Sequence, residues 1–389
     1  MSLRRKLKYG MVGGGPDAFI GGVHRIAAAI DGQTELVAGA FSSDPAKSRQ
    51  QGAELFLDPG RVYGSYAEMA EKEAALPQGE RIDFVSIVTP NHVHFPVAKL
   101  FIEAGFHVVC DKPMTTTVEE AEELVRLVKK HDVVFALTHN YTGYPRVKQA
   151  RALVAEGKIG KVRKIVVEYP QGWLATPIDA DGQKQAAWRT DPARAGVSSC
   201  VGDIGSHAEN LARYITGLEM ESLMADMTTF VEGRRLEDDS NMLVRYKGGA
   251  RGVLWASQIA VGEENHLAIR IYGEKGRLEW DQEDPNYLWF QVDGEPLQKW
   301  NRGNDYVGSA AANHTRTPSG HPEGYLEGFA NIYRNACAAM AAKLTGEPAD
   351  PELDFPTVED GAVGVHFIHK SVESGKAQAW VDASYTPPT

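Results

Sequence analysis

Three side chains of types that bind or move protons stand where chemistry can use them. Asp111-Lys112-Pro113 follows the apolar run Phe106-His107-Val108-Val109-Cys110, which puts a lysine on a proline-restrained turn at the carboxyl end of a buried strand. Open α/β sheets hold their ligands at that edge. A lysine there can donate a hydrogen bond to a reacting oxygen. Farther along, Asp203 and His207 stand four apart in Gly202-Asp203-Ile204-Gly205-Ser206-His207, at the start of a helical pattern. If helical geometry already holds there, both project from one face. An imidazole is the natural base for an alcohol proton, and a nearby carboxylate can orient it and stabilise its charged form. The same pair also fits an N-capping aspartate and an ordinary half-buried histidine.

Gly13, Gly14 and Gly15 follow the first strand, and Gly21 opens the segment after it. Glycines at that turn let the backbone approach a pyrophosphate, whose charge meets the amides of a helix start. Pro16-Asp17-Ala18-Phe19-Ile20 separates Gly15 from Gly21 where two residues are usual, so a plain strand-to-helix turn competes. Its place at the first βα turn favours the nucleotide. The second strand ends Ala40-Phe41-Ser42-Ser43-Asp44-Pro45. Asp44 can grip ribose hydroxyls or cap the helix that Pro45 begins, and capping is favoured. Ser42 and Ser43 are then the expected ribose contacts. With Lys47 and Arg49 nearby, both NAD and NADP remain open.

Thr89-Pro90-Asn91-His92-Val93-His94 follows another strand. Its His-x-His spacing invites a zinc reading, but no further ligand types cluster beside it. A loop lining the nicotinamide side of a cleft is favoured, and no metal is expected. Trp173 and Trp188-Arg189 belong to a long loop, and His321-Pro322-Glu323-Gly324-Tyr325 precedes a late helix. Aromatic and polar groups on such loops suit a polyhydroxylated ligand, although packing between domains or subunits explains them equally.

The elements that must position these residues alternate through the first third. Strands are expected at Lys8 to Val12, Glu35 to Phe41, Phe84 to Thr89, Phe106 to Cys110 and Val133 to Leu137, with helices at His24 to Ile30, Pro45 to Glu54, Tyr66 to Ala74, Pro96 to Ala104 and Val118 to His131. That alternation predicts right-handed crossovers and a doubly wound parallel sheet. After Pro145 a run of strand-like segments separated by tight turns predicts a second, mostly antiparallel sheet covered by helices on one face. Two domains, 1–138 and 139–389, fit the length of 389 residues.

The formal net charge of −11 argues against a nucleic-acid partner. Cys110, Cys200 and Cys337 stand too far apart for a CxxC motif, which fits a reducing cytoplasm. Met1 to Lys8 is basic but lacks the apolar run of an export signal, and no stretch approaches the roughly 18 apolar residues of a membrane span.

Together the Gly13 to Gly21 loop, Thr89-Pro90-Asn91-His92, Asp111-Lys112-Pro113 and Asp203 with His207 resemble the motifs of the glucose-fructose oxidoreductase, inositol dehydrogenase and rhizopine catabolism (Gfo/Idh/MocA) family, in order and spacing over most of the chain. The resemblance implies an amino-terminal Rossmann domain, an α+β domain with a large open sheet, and catalytic Lys112, Asp203 and His207 between them. It implies a cofactor site of Gly13, Gly15, Phe19, Ile20, Ser42, Ser43, Thr89, Asn91, His94, Asp111, Lys112 and Asn140. The substrate side would comprise Lys112, Trp188, Arg189, Asp203, His207 and His321, and the chain would assemble as a dimer or tetramer. Departures are the longer phosphate loop, Asp111 where the family has glutamate, and Asn210 where many members carry a second aspartate. The pattern is closest to inositol and sugar dehydrogenases, including scyllo-inositol or L-glucose oxidising types. An NAD-recycling glycoside hydrolase is the alternative within the family, and a nucleotide-sensing module without turnover is disfavoured because all three catalytic residues are present.

Overall fold

The computed structural model describes residues 3–16 and 18–389. Met1 and Ser2, from the basic segment, and Asp17, from the stretch between Gly15 and Gly21, lie outside the described residues. The first third runs β1 (Leu7–Gly13), α1 (Phe19–Ala29), β2 (Thr34–Ala40), α2 (Pro45–Glu54), α3 (Tyr66–Ala74), β3 (Phe84–Val88), α4 (Asn91–Glu103), β4 (His107–Cys110), α5 (Val118–His131) and β5 (Phe135–Leu137). β3 and β4 are buried at every position, as strands covered on both faces must be. All five pair in parallel in the order β2-β1-β3-β4-β5. The chain leaves β1 for β2 and returns on the other side of β1 for β3, so a crevice opens outside the ends of β1 and β3.

Two helix starts differ from expectation. α1 begins at Phe19 rather than His24, because Gly21 and Gly22 are accommodated within its first turn. α4 begins at Asn91, behind Pro90 at its N-cap, and carries Pro96 inside. By residue type Pro96 marks a first helical position. It is instead the sixth residue of α4, past the four unpartnered amides of the helix start, and so takes one interior hydrogen bond from the helix. The expected loop through Asn91 and His94 is therefore the first turn of a helix.

The remainder comprises α6 (Pro145–Ala155), β6 (Val162–Pro170), α7 (Lys184–Arg189), α8 (Pro192–Ala195), α9 (Ser206–Thr216), β7 (Met220–Thr228), β8 (Asp239–Tyr246), β9 (Arg251–Ser257), β10 (Ala268–Gly273), β11 (Gly276–Asp281), β12 (Tyr287–Val292), β13 (Gln298–Asn301), α10 (Ser309–Ala312), α11 (Tyr325–Thr345), α12 (Val358–Ala377) and β14 (Val381–Asp382). Its nine strands order as β13-β12-β11-β10-β6-β9-β8-β7-β14. Every neighbouring pair is antiparallel except β6 and β9. The long loop before α9 holds α7 and α8, whose caps Gln183 and Asp191 each accept from a backbone amide.

The last two long helices tie the sheets together. Phe329, Tyr333 and Met340 of α11 share a buried cluster with Tyr9, Met11 and Phe84 of the parallel sheet. α12 places Val358 and Ala362 in a core of that sheet and Phe367 and Ile368 in the core of the other. Inside the first contact, the Tyr333 hydroxyl lies 2.7 Å from both Ser86 Oγ and His24 Nδ1. Removing that hydroxyl in Tyr333→Phe takes a partner from each and leaves the two buried groups only their 3.3 Å contact with each other. It should cost about 1–3 kcal/mol, read from the urea midpoint, and an unchanged midpoint would show that the network adds no stability.

Candidate active site

At the end of β1 the backbone turns on Gly13 and Gly14, with φ of +88° and +71°. A Cβ on Gly15 would lie 2.6 Å from Phe41 O, and one on Gly21 would lie 2.4 Å from Gly14 Cα. Only glycine lets α1 press so closely on the loop. Ala18, at the helix N-cap, supplies no side-chain acceptor, so the amides near Phe19 and Ile20 are open to an anion. Lys184 of α7 reaches Pro16 O at 3.0 Å, bringing the second half of the chain over this loop. At the end of β2, Asp44 Oδ1 accepts from Ala46 N at 2.8 Å and so caps α2. Ser42 Oγ accepts from Asp44 N at 3.1 Å, and Ser43 is exposed beside it.

Two further groups at the carboxyl edge lack partners among the described residues. Thr89 Oγ1, after β3, and Asn140 Nδ2, after β5, are buried with no hydrogen bond to any of them. Buried polar atoms are as a rule satisfied, so these mark places for a polar ligand. With the glycine cradle and the open helix start, they fit a dinucleotide lying across the ends of β1, β3 and β5.

Lys112 crosses from this edge to the second sheet. Its Nζ donates to Asp203 O at 2.6 Å and to Asp203 Oδ1 at 2.8 Å, and both side chains are mostly buried. Asp203 Oδ2 accepts from Arg189 Nε at 3.1 Å and from Gln258 Nε2 at 2.9 Å. The Arg189 guanidinium stacks 4.3 Å from the Trp188 ring and 5.8 Å from that of Trp173. Burial alone would raise the Asp203 pKa. The Arg189 and Lys112 cations outweigh it and hold the carboxyl well below its ordinary 3.8. From behind, Asp111 Oδ1 accepts from Lys112 N at 2.9 Å and from Thr138 Oγ1 at 2.8 Å.

Asp203 lies in a π-helical turn, Val201–Gly205, that runs directly into α9. Glu237 Oε1 holds its start by accepting from Val201 N at 3.0 Å. Asp203 and His207 do not hydrogen-bond to each other as the four-residue spacing suggests. The carboxylate is committed to Lys112, Arg189 and Gln258, and a residue that the sequence motifs do not single out orients the imidazole. His207 Nδ1 lies 3.3 Å from His139 Nδ1, with the rings edge to face at 83°. Tyr141 packs its ring 4.8 Å from that of His207, and its hydroxyl joins Tyr169 at 2.5 Å and Asn265 at 3.2 Å.

Burial pushes His207 well below 6.5, and the charge of Lys112 pushes the same way. Burial, followed by Lys112 and Arg213, pushes His139 down to about 3. Both rings are therefore neutral at ordinary pH, and one Nδ1 donates while the other accepts. Of the other expected residues, Asn91 Nδ2 donates to Ala195 O at 3.0 Å and tethers α8. Both ring nitrogens of His94 face carbonyls, Pro113 O and Thr89 O, each at 2.8 Å. It braces the two turns instead of presenting a nitrogen to a ligand. His321 is exposed, with Nδ1 3.3 Å from Ser319 O of its own loop, and is not joined to the Lys112, Asp203 and His207 group. His139 was within reach of the strand-end logic that selects Lys112, since it lies just beyond β5. Gln258 carried no sequence signal.

Since both pKa values are lowered, the rings stay neutral until the pH falls far below the usual histidine range. In histidine-labelled protein the NMR ring signals of His139 and His207 should not titrate between about pH 5.5 and 8. A midpoint near 6.5 in either would contradict the burial account.

A model of an oxidoreductase family with an NAD-binding Rossmann fold matches residues 7–139, and a GFO/IDH/MocA C-terminal domain matches residues 147–279. A solved oxidoreductase from Sinorhizobium meliloti is 48% identical, with 97% of this chain and 100% of that one covered and a TM-score of 0.88. An inositol dehydrogenase homolog from Azotobacter vinelandii complexed with NAD+ is 37% identical over 98% of each chain, with a TM-score of 0.93. Its structure with NADH and myo-inositol matches at 36% identity over 98% of each chain, with a TM-score of 0.91. The oxidoreductase YfiI of Bacillus subtilis (strain 168) is 35% identical, with 98% of each sequence covered. The strand-end lysine, the glycine cradle and these matches agree: the chain belongs to the GFO/IDH/MocA family and is an NAD(P)-dependent oxidoreductase.

Proposed function

We propose that the protein oxidises a secondary hydroxyl of a cyclitol or sugar to a ketone or lactone, with NAD as the acceptor. What carries this reading is the convergence of Lys112 Nζ, anchored on Asp203, with neutral His207 beside the edge where the orphaned Thr89 and Asn140 groups lie. A dehydrogenase acting on an alcohol needs a cation for the developing alkoxide and a base for its proton. When bound, nicotinamide supplies the hydride acceptor. Lys112 donates to the reacting oxygen, and His207 Nε2 takes its proton, because Nδ1 is occupied by His139. Asp203 holds Lys112 in place. The Azotobacter homolog described with NAD+ and with NADH and myo-inositol supports both the cofactor and a polyhydroxylated substrate. Residues 1–138 are assigned to the cofactor, and residues 139–389 to substrate and assembly.

Assembly as a homo-oligomer is supported by the outer face of the nine-stranded sheet. Met224, Leu243, Val253 and Val166 form a cross-strand row there, with Met224 38% and Leu243 49% exposed. Incubation with NAD or NADP and a panel of inositols, hexoses and glycosides, followed by reduced-nicotinamide absorbance, tests the assignment. NADH formed in step with a ketone or lactone is the expected result, and sugar released from a glycoside without net NADH would point to the hydrolase instead. Lys112→Met should lower turnover roughly 100- to 10,000-fold while NAD still raises the melting temperature. Near-normal turnover in the folded variant would remove Lys112 from the chemistry.

A further inference from the structure

A base flanked by a lysine cation and cut off from water is a poor place to leave a proton. Each charge raises the cost of the other, and His207 has no carboxylate within its own hydrogen bonds to offset it. Its Nδ1 instead meets a second neutral imidazole, that of His139, which is itself buried at the end of β5.

The far side of His139 faces α12. A Cβ built on Gly364 of α12 would lie 3.8 Å from His139 Nε2 and meet no other atom within 4 Å beyond its own chain neighbours and helix backbone. Glycine at this buried helical position leaves room beside the ring. Asp360, one turn earlier on the same face of α12, acts electrostatically on His139 and lines a groove of about 250 Å³ between α9, α12 and the carboxyl-terminal segment. Glu209 and Arg213 of α9 line it too. Arg213 joins Asp360 at 2.6 Å and Glu209 at 2.9 Å, while Glu209 Oε2 is buried without a partner among the described residues, an acceptor suited to water.

We infer that His207 and His139 form a two-histidine relay that carries the substrate's hydroxyl proton behind α9 to the groove beside α12. It rests on the assignment of His207 as the base. In the resting pair His207 holds its hydrogen on Nδ1 and donates to His139 Nδ1, and His139 holds its own on Nε2. The hydroxyl proton bonds to His207 Nε2, the Nδ1 hydrogen of His207 moves to His139 Nδ1, and the Nε2 hydrogen of His139 leaves to solvent water. The electron pair departs separately with the carbinol hydrogen, as hydride, to the nicotinamide. Neither ring keeps a positive charge, which suits two sites that each disfavour one. After product release opens the cleft, His207 Nε2 gives its hydrogen to water there. The Nδ1 hydrogen then returns to His207, and His139 Nε2 takes a proton back. The groove is thus the outlet while the cleft is closed, and the net proton of each turnover leaves through the cleft.

Three variants test the relay by steady-state oxidation of a substrate identified in the screen. His139→Gln keeps an acceptor for His207 Nδ1 but cannot pass a proton on, and turnover should fall roughly 10- to 100-fold with KM unchanged. In His139→Ala, added imidazole should restore part of the lost turnover. Gly364→Val fills the exit without touching the cleft, and turnover should fall several-fold at an unchanged melting temperature. Wild-type turnover in both His139→Gln and Gly364→Val would overturn the relay, as would a slow His139→Ala that imidazole does not rescue. Wild-type turnover in His207→Ala would instead overturn the base assignment, and the relay with it.

Discussion

The buried ion pair between Lys112 and Asp203 is the constraint on which the rest of the structure turns. Lys112 comes from the carboxyl edge of the parallel sheet and Asp203 from the turn that opens α9, so the pair spans the two halves of the chain. Burying a carboxylate is costly unless its oxygens are fully engaged. Here both oxygens are, by Lys112, Arg189 and Gln258. A charge placed in this way disfavours any arrangement of the two halves that pulls Lys112 away. The fold supports the same geometry from outside, with α11 packed on the parallel sheet and α12 packed between the two cores.

That arrangement divides the labour at the site. The carboxylate fixes the cations, and the histidines are left neutral and in contact with each other. A single aspartate cannot serve both tasks well. A carboxylate bonded to His207 would stabilise the imidazolium and weaken its grip on Lys112. In the structure Asp203 goes to the cations and His207 to His139.

Much of this was legible in residue types and spacing. The parallel sheet could be read because its strands are short apolar runs between helix-period segments, and α2, α3 and α5 start at the side-chain caps Asp44, Ser65 and Thr117. Lys112 could be read because a strand end and a proline mark its place. The partners of Asp203 and His207 could not. Four-residue spacing suggests a pairing, but no residue type shows that Lys112, Arg189 and Gln258 take the carboxylate and that His139 takes the imidazole. Gln258 sits at the end of a strand whose pattern says only that it alternates. The docking of α11 was equally hidden, since an apolar helical stripe shows that a sheet is covered and not which one. His94 misleads for a related reason: both ring nitrogens face backbone carbonyls, which a residue type at a strand end does not show.

The central claim is that one substrate oxygen is held between the anchored lysine and the neutral histidine. A crystal structure of the complex with reduced cofactor and a turned-over polyol measures this directly. A single hydroxyl oxygen is expected within about 2.6–3.2 Å of both Lys112 Nζ and His207 Nε2. A polyol bound with its reacting oxygen beyond the reach of either group would contradict it.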